Sequence, residues 1–179
     1  KHLYQLVIAG LPSDFPPLKS LDASPNNLPS QLTSFVGREK EIAEVKQLIS
    51  EGRLVTFTGP GGSGKTRLAL QVASEMLDRF HSVFLIALAP ISDPGLVAST
   101  IAKTLNVPEV AGRSILEGLK EYLQSKSMLL LLDNFEQVIS AASLVSELLS
   151  VCGKLKILVT SREALRITGE RIYTVPPLA

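Results

Sequence analysis

The run Gly59-Pro60-Gly61-Gly62-Ser63-Gly64-Lys65-Thr66 is where residue type and spacing dictate chemistry most directly. Its fixed positions follow the pattern G-x-x-x-x-G-K-[ST], in which glycines let the backbone curl until successive N–H groups converge on a phosphate. A helix opening straight after such a loop adds partial positive charge at the same point. In this pattern the lysine, here Lys65, reaches the β- and γ-phosphates, and the Thr66 hydroxyl ligates Mg²⁺. From an average glycine usage of ~7%, a chance match in a chain this long is roughly a one-in-a-hundred event. The expected phosphate-binding set is therefore Gly59, Gly61, Gly62, Ser63, Gly64, Lys65 and Thr66, with Arg67 beside them.

A second acidic position complements the loop. Met128-Leu129-Leu130-Leu131-Leu132-Asp133 sets a carboxylate at the end of an apolar strand. Ligands of open α/β sheets gather at the carboxyl ends of strands, so Asp133 can face the loop and hold Mg²⁺ with Thr66 in a Walker B arrangement. Asn134 follows, where a hydrolytic site often carries a second acid. Glu136 is nearby and has two readings: a base that activates water, or an acid favoured by the start of the next helix. Arg162, after Leu155-Lys156-Ile157-Leu158-Val159-Thr160-Ser161, also has two. It is either a cation that touches the γ-phosphate or a solvated residue beside a Ser161 helix cap.

These residues need elements to hold them. Apolar spacing predicts a helix after Gly37 and ending at Gly52, with Ile42, Val45, Leu48 and Ile49 on one face. Next comes a buried strand at 54–58, the glycine loop, and a helix carrying Leu68 and Val72. Strands are expected at 83–88, 128–132 and 156–160, with a fifth at 171–175. Between them, Asp93-Pro94 and the capping box Ser114-Ile115-Leu116-Glu117 start helices, and 135–149 reads as another helix. Inner strands that are continuously apolar, alternating with helices, predict a three-layer α/β/α architecture around a mostly parallel five-stranded sheet.

Residues 1–30 differ from the rest. A short apolar stretch at 3–8 reads as a strand, and five prolines between positions 12 and 29 then exclude helix and central strand. We expect an extended linker at 1–30, adding little regular hydrogen bonding to a nucleotide-binding domain at 31–179. Its Phe15, Leu18, Leu21 and Leu28 are able to pack on a neighbouring surface. The chain starts without Met and finishes on Pro176-Pro177-Leu178-Ala179, so it reads as a piece of a longer protein.

Composition removes several function classes. With 45% hydrophobic and 20% charged residues, the chain of 179 residues has ordinary globular usage. Its net charge of +1 gives no electrostatic reason for direct nucleic-acid or anionic-membrane binding. One cysteine, Cys152, forms no internal disulfide, and a reducing, cytoplasmic compartment is expected. His2 and His81 stand apart and suggest no metal cluster. No apolar run approaches the ~20 residues that span a bilayer.

Phe35-Val36-Gly37-Arg38-Glu39-Lys40-Glu41 resembles the hhGRExE signature that precedes the phosphate loop in STAND-class, NB-ARC-like signal-transduction ATPases. The strands ending in Asp133-Asn134-Phe135-Glu136 and Thr160-Ser161-Arg162 are similar to that class's Walker B and sensor 1 elements. The resemblance covers roughly residues 30–178. It implies that Walker A and Walker B lie on strands separated by another, that Val36 and Arg38 contact adenine, and that an ATP/ADP cycle works as a switch. It further implies linked regulatory domains in a multidomain bacterial regulator, with nucleotide-dependent self-association left open. The N-terminal Leu3-Tyr4-Gln5-Leu6-Val7, Gly10-Leu11-Pro12 and Phe15-Pro16-Pro17-Leu18 look like the tail leaving a class III nucleotidyl cyclase domain.

Besides a DNA-dependent ATPase, which the net charge of +1 argues against, three functions share these features. One is a slow Mg²⁺-dependent ATPase switch, with Lys65, Asp133, Glu136 and Arg162 as its catalytic candidates. Another is a non-hydrolysing module that holds ADP. The third is a small-molecule kinase, against which Arg113, Arg162, Arg166 and Arg171 are too scattered to form a lid.

Overall fold

Among the described residues, five strands and five α-helices largely alternate along the chain. The structure, a computed structural model, describes residues 24–29 and 37–176. The strand expected at 3–8, the cyclase-like tail and Phe35-Val36 lie outside the described residues. Helix α1 is Glu39–Glu51, β1 Leu54–Thr58, α2 Lys65–Glu75, β2 Ser82–Ala87 and α3 Val97–Thr104. They are followed by α4 Ile115–Gln124, β3 Met128–Asp133, α5 Ala142–Val151, β4 Leu155–Thr160 and β5 Glu170–Thr174. All pairings are parallel, in the order β2-β3-β4-β1-β5. β4 thus separates β1, which feeds the glycine loop, from β3, which ends in Asp133.

The unbroken apolar run of β3 is explained by two cores. Met128, Leu130 and Leu132 point to one side of the sheet, into a cluster with Val97, Ile101, Leu119, Leu123, Val145 and Leu148 of α3, α4 and α5. Leu129 and Leu131 point to the other, among Val45, Ile49, Leu68 and Val72 of α1 and α2. Because successive side chains of a strand alternate faces, burial on both sides requires every position to be apolar. The two cores leave the strand ends, with Asp133, at the rim.

Local signals fixed several boundaries. Ser114 and Glu117 form the full reciprocal capping box of α4. Asp93 accepts from Gly95 N–H at 2.8 Å, starting a short 3₁₀ turn, Pro94–Leu96, ahead of α3. The helix expected at 135–149 is two pieces. Phe135–Ala141 is a 3₁₀ stretch, broken at Val138 (φ −133°, ψ 37°), and α5 starts only at Ala142. Phe135 and Val138 are both fully buried, and packing them against the end of the sheet displaces regular helix geometry.

The proline-rich segment does more than the linker expectation allowed. Residues 24–29 lie along β2, the sheet edge, with Asn26 bridging to Val83 in parallel. Val83 N–H donates to Pro25 O at 3.1 Å. The Asn27 side chain accepts from Leu85 N–H at 2.6 Å and donates to Leu85 O at 2.9 Å. Ser24 Oγ is 2.9 Å from Leu77 O and 2.8 Å from Phe80 O. Leu28 packs on the α1/α2-side core, as anticipated. Prolines are tolerated here because only the carbonyls and one amide side chain face β2.

Candidate functional site

The glycine loop joins β1 to α2 at the carboxyl end of the sheet. Gly64 is the residue before α2 and takes φ 84°, ψ 18°, a left-handed conformation that favours glycine. Gly59 is held close to the chain beyond β5: a Cβ there would sit 3.1 Å from Val175 O. A Cβ on Gly61, Gly62 or Gly64 would meet no atom within 4 Å, so the loop is open on that side. Lys65 Nζ donates to Gly59 O at 2.8 Å and Pro60 O at 2.9 Å, lying across the loop with one proton to spare. Ser63 Oγ is buried with no hydrogen-bond partner among the described residues.

Asp133 meets α2 directly. Thr66 Oγ1 donates to Asp133 Oδ1 at 2.7 Å, although 67 positions separate them. Asp133 is 8% exposed. Thr160, at the end of neighbouring β4, donates its hydroxyl to the same Oδ1 and accepts from Asn134 N–H at 3.0 Å. Residue type alone points to Arg162 in this stretch, whereas the side chain that meets Asp133 is Thr160. The available signal was a hydroxyl closing an apolar strand, which becomes meaningful only once β4 is known to lie beside β3. The two hydroxyls and the carboxylate are hard oxygen donors, the set that Mg²⁺ takes together with phosphate and water.

Glu136 and Arg162 come together. Arg162 Nε lies 3.4 Å from Glu136 Oε1, with side-chain exposures of 68% and 12%. The other oxygen, Glu136 Oε2, is buried without a partner among the described residues. Glu136 stands in the first turn after Asn134, where an acid is favoured, although that turn belongs to the 3₁₀ stretch and not to a regular α-helix. Ser161 caps no helix: its Oγ accepts from Glu163 N–H at 3.3 Å within a bend. The arginines considered for a lid are dispersed, with Arg113 paired to Glu121 and Arg171 to Glu51.

Arg38 enters the site from the start of α1. Its Nη2 donates to Ser63 O at 3.3 Å and to Pro176 O at 2.9 Å. Val36 lies outside the described residues, and Arg67 is exposed on the first turn of α2. Among the described residues no group of three or more His, Cys, Asp or Glu could hold a metal, and no helix is long and apolar enough to cross a membrane.

The family described as an ATPase domain predominantly from Archaea matches residues 35–163. The chain belongs to this ATPase family. The matched residues hold the glycine loop, Asp133 and Arg162, so the open loop and its acidic partner are those of a P-loop ATPase domain. A Mycobacterium tuberculosis protein provisionally named an HTH-type transcriptional regulator is 43% identical over 136 residues, 75% of this chain and 15% of that protein. An uncharacterised protein of the same species is 39% identical over 150 residues, covering 83% of this chain and 38% of its own. The ATPase domain here thus spans a minor part of these relatives.

Solved structures agree on the fold. A STAND protein with a tetratricopeptide-repeat sensor from Pyrococcus horikoshii superposes with a TM-score of 0.58 at 19% identity, over 86% of this chain and 24% of that one. The Cdc6 protein of Pyrobaculum aerophilum gives 0.56 at 18% identity, over 86% and 48%. A chain of the Drosophila origin recognition complex bound to DNA gives 0.61 at 16% identity, over 79% and 43%.

Proposed function

We propose that this chain is the nucleotide switch of a multidomain signalling or transcriptional regulator. ATP with Mg²⁺ is held by the loop, slow hydrolysis leaves ADP, and the nucleotide state is passed to linked domains. The observation that carries this reading is the 2.7 Å bond from Thr66 to Asp133, which brings the end of β3 to the mouth of the open loop. Backbone N–H groups of residues 61–66 would receive the phosphates, with Lys65 turning its ammonium from two loop carbonyls toward them. Thr66 and Asp133 would hold Mg²⁺, which when bound offsets phosphate charge. Thr160 keeps Asp133 in place for that role. The relatives' regulator name supports a regulatory setting, and DNA contact, where such a protein makes it, is assigned outside this domain on its charge of +1.

The Glu136–Arg162 ion pair favours a second reading, a module that holds ADP without hydrolysis, because a base engaged by a guanidinium is less available to water. Single-turnover hydrolysis of labelled ATP separates the two. Nucleotide binding itself is tested by calorimetry on the protein and on Lys65→Ala. A charge-assisted contact of ~1.5–3 kcal/mol predicts at least tenfold weaker ATP binding in the variant. Equal affinity would remove the phosphate-loop reading.

A further inference from the structure

Three segments distant in sequence meet at one guanidinium. Arg38 precedes α1 with φ 104° and ψ 21°, a left-handed backbone rarely adopted by a residue with a Cβ, directly after Gly37 at φ 72°. Its carbonyl accepts from Ile42 N–H at 2.9 Å, so the strained residue also opens the helix. Strain of this kind persists where the surroundings hold it. Here they do so through the side chain, which reaches the phosphate loop at Ser63 O and the chain leaving β5 at Pro176 O, 138 positions away. Nη1 is buried without a partner among the described residues.

The bond to Ser63 has a consequence for the loop. All described peptide bonds are trans, so the C=O of Ser63 and the N–H of Gly64 point in opposite directions. A donor that holds Ser63 O on the Arg38 side therefore turns Gly64 N–H to the other, and a cation at the carbonyl strengthens that N–H as a donor. The departing chain is tied to the same place twice more. Val175 N–H donates to Thr58 O at 2.9 Å, and Val175 O lies against Gly59. Loop, α1 and exit segment share one polar junction, and Arg38 is the side chain that touches both of the others.

We propose that Arg38 is a positioning residue that couples the phosphate loop to the exit segment Val175–Pro176. It aims the Gly64 N–H when the loop takes phosphate, and it passes loop occupancy to the point where the chain leaves the sheet. This rests on the nucleotide reading above and adds the route by which the bound state is relayed. An anion on Gly64 N–H polarises the peptide, tightens Ser63 O on the guanidinium, and so stiffens the guanidinium's other bond, to Pro176 O. Linkage makes the effect mutual: loosening the exit weakens phosphate binding by the same factor.

The test is amide hydrogen exchange at Val175 in the 179-residue chain, with and without saturating ADP and Mg²⁺, beside calorimetry on the same samples. In the unmodified protein ADP should slow Val175 exchange about fivefold or more, the lower end of ordinary coupling. Arg38→Gln should bind ADP several-fold more weakly, as the linkage requires, and lose the slowing even when ADP saturates it. Arg38→Lys, which keeps the charge but lacks the fork needed for two carbonyls, should behave likewise and guards against misfolding of the glutamine variant. Equal slowing in both variants, or binding without slowing in the unmodified protein, overturns the coupling and leaves the nucleotide reading intact. No ADP binding by the unmodified protein overturns both.

Discussion

Hydrolysis needs a group that takes or orients a proton of the attacking water, and the residues after Asp133 decide whether this chain has one. Asp133 accepts from Thr66 and Thr160, and Asn134 is turned into a left-handed conformation (φ 62°) with its N–H on Thr160. An amide side chain orients water but does not accept its proton. Glu136 is the acid within reach along the chain, and Arg162 is paired with it. General-base assistance is worth ~10²–10⁴ in rate, so a base held this way predicts turnover well below the usual enzyme median of ~10 s⁻¹. Steady-state phosphate release measures it. Glu136→Gln should abolish the residual rate if Glu136 is the base, and should leave it within about twofold if the carboxylate only seats Arg162. Turnover in the tens per second would exclude a long-lived ATP state. The loop and Asp133 were legible because their chemistry is written in consecutive residues. Thr160 and the Glu136–Arg162 pair were not, because each depends on β3 and β4 being neighbours.

Capping chemistry lets one element be tested apart from the site. α4 starts at Ser114, whose Oγ accepts from Glu117 N–H at 3.2 Å while Glu117 Oε2 accepts from Ser114 N–H at 3.0 Å. Those Ser114 bonds, backbone first and hydroxyl next, hold the Glu117 carboxyl below its ordinary value of 4.5. A depressed carboxyl contributes stability that is complete above the unfolded value and lost as pH falls through the folded one. Glu117→Gln should therefore melt below the unmodified protein at pH 7, and the gap should close as pH falls from 4.5 through the lowered folded value. A gap that stays constant down to pH 3 would mean the charge is irrelevant to the cap. This helix was readable to within a residue because its start signal is local. The stretch at 135–149 was not, since what breaks it is the burial of Phe135 and Val138 against the sheet, a demand that periodicity does not carry.

The sheet as assembled has two edges, and residues 24–29 close the one at β2. An exposed edge presents a row of unpaired N–H and C=O groups to any other chain, and proteins commonly cover such edges. Here the cover is sparse but specific: one backbone bond to Val83, two bonds from the Asn27 amide to Leu85, the Ser24 hydroxyl on the turn after α2, and Leu28 in the core beneath. The Asn27 side chain imitates a strand residue, offering one acceptor and one donor where proline-rich backbone offers few of its own. Net hydrogen-bond contributions near 1 kcal/mol each suggest about 2–4 kcal/mol for the strap. For a domain of this size that corresponds to a fall in Tm of roughly 5–15 °C. Deleting residues 1–29 removes these contacts and should lower the melt and promote concentration-dependent association through β2, and deleting residues 1–23, which keeps them, is the control. Asn27→Ala in the full chain should reproduce part of both effects, since it frees Leu85 N–H and C=O while keeping the rest of the strap. Calorimetric melts and light scattering across the three variants decide the matter. Equal melting of the 1–29 deletion and the full chain would show that the strap rests on β2 without contributing to the fold, and the domain would then begin at α1.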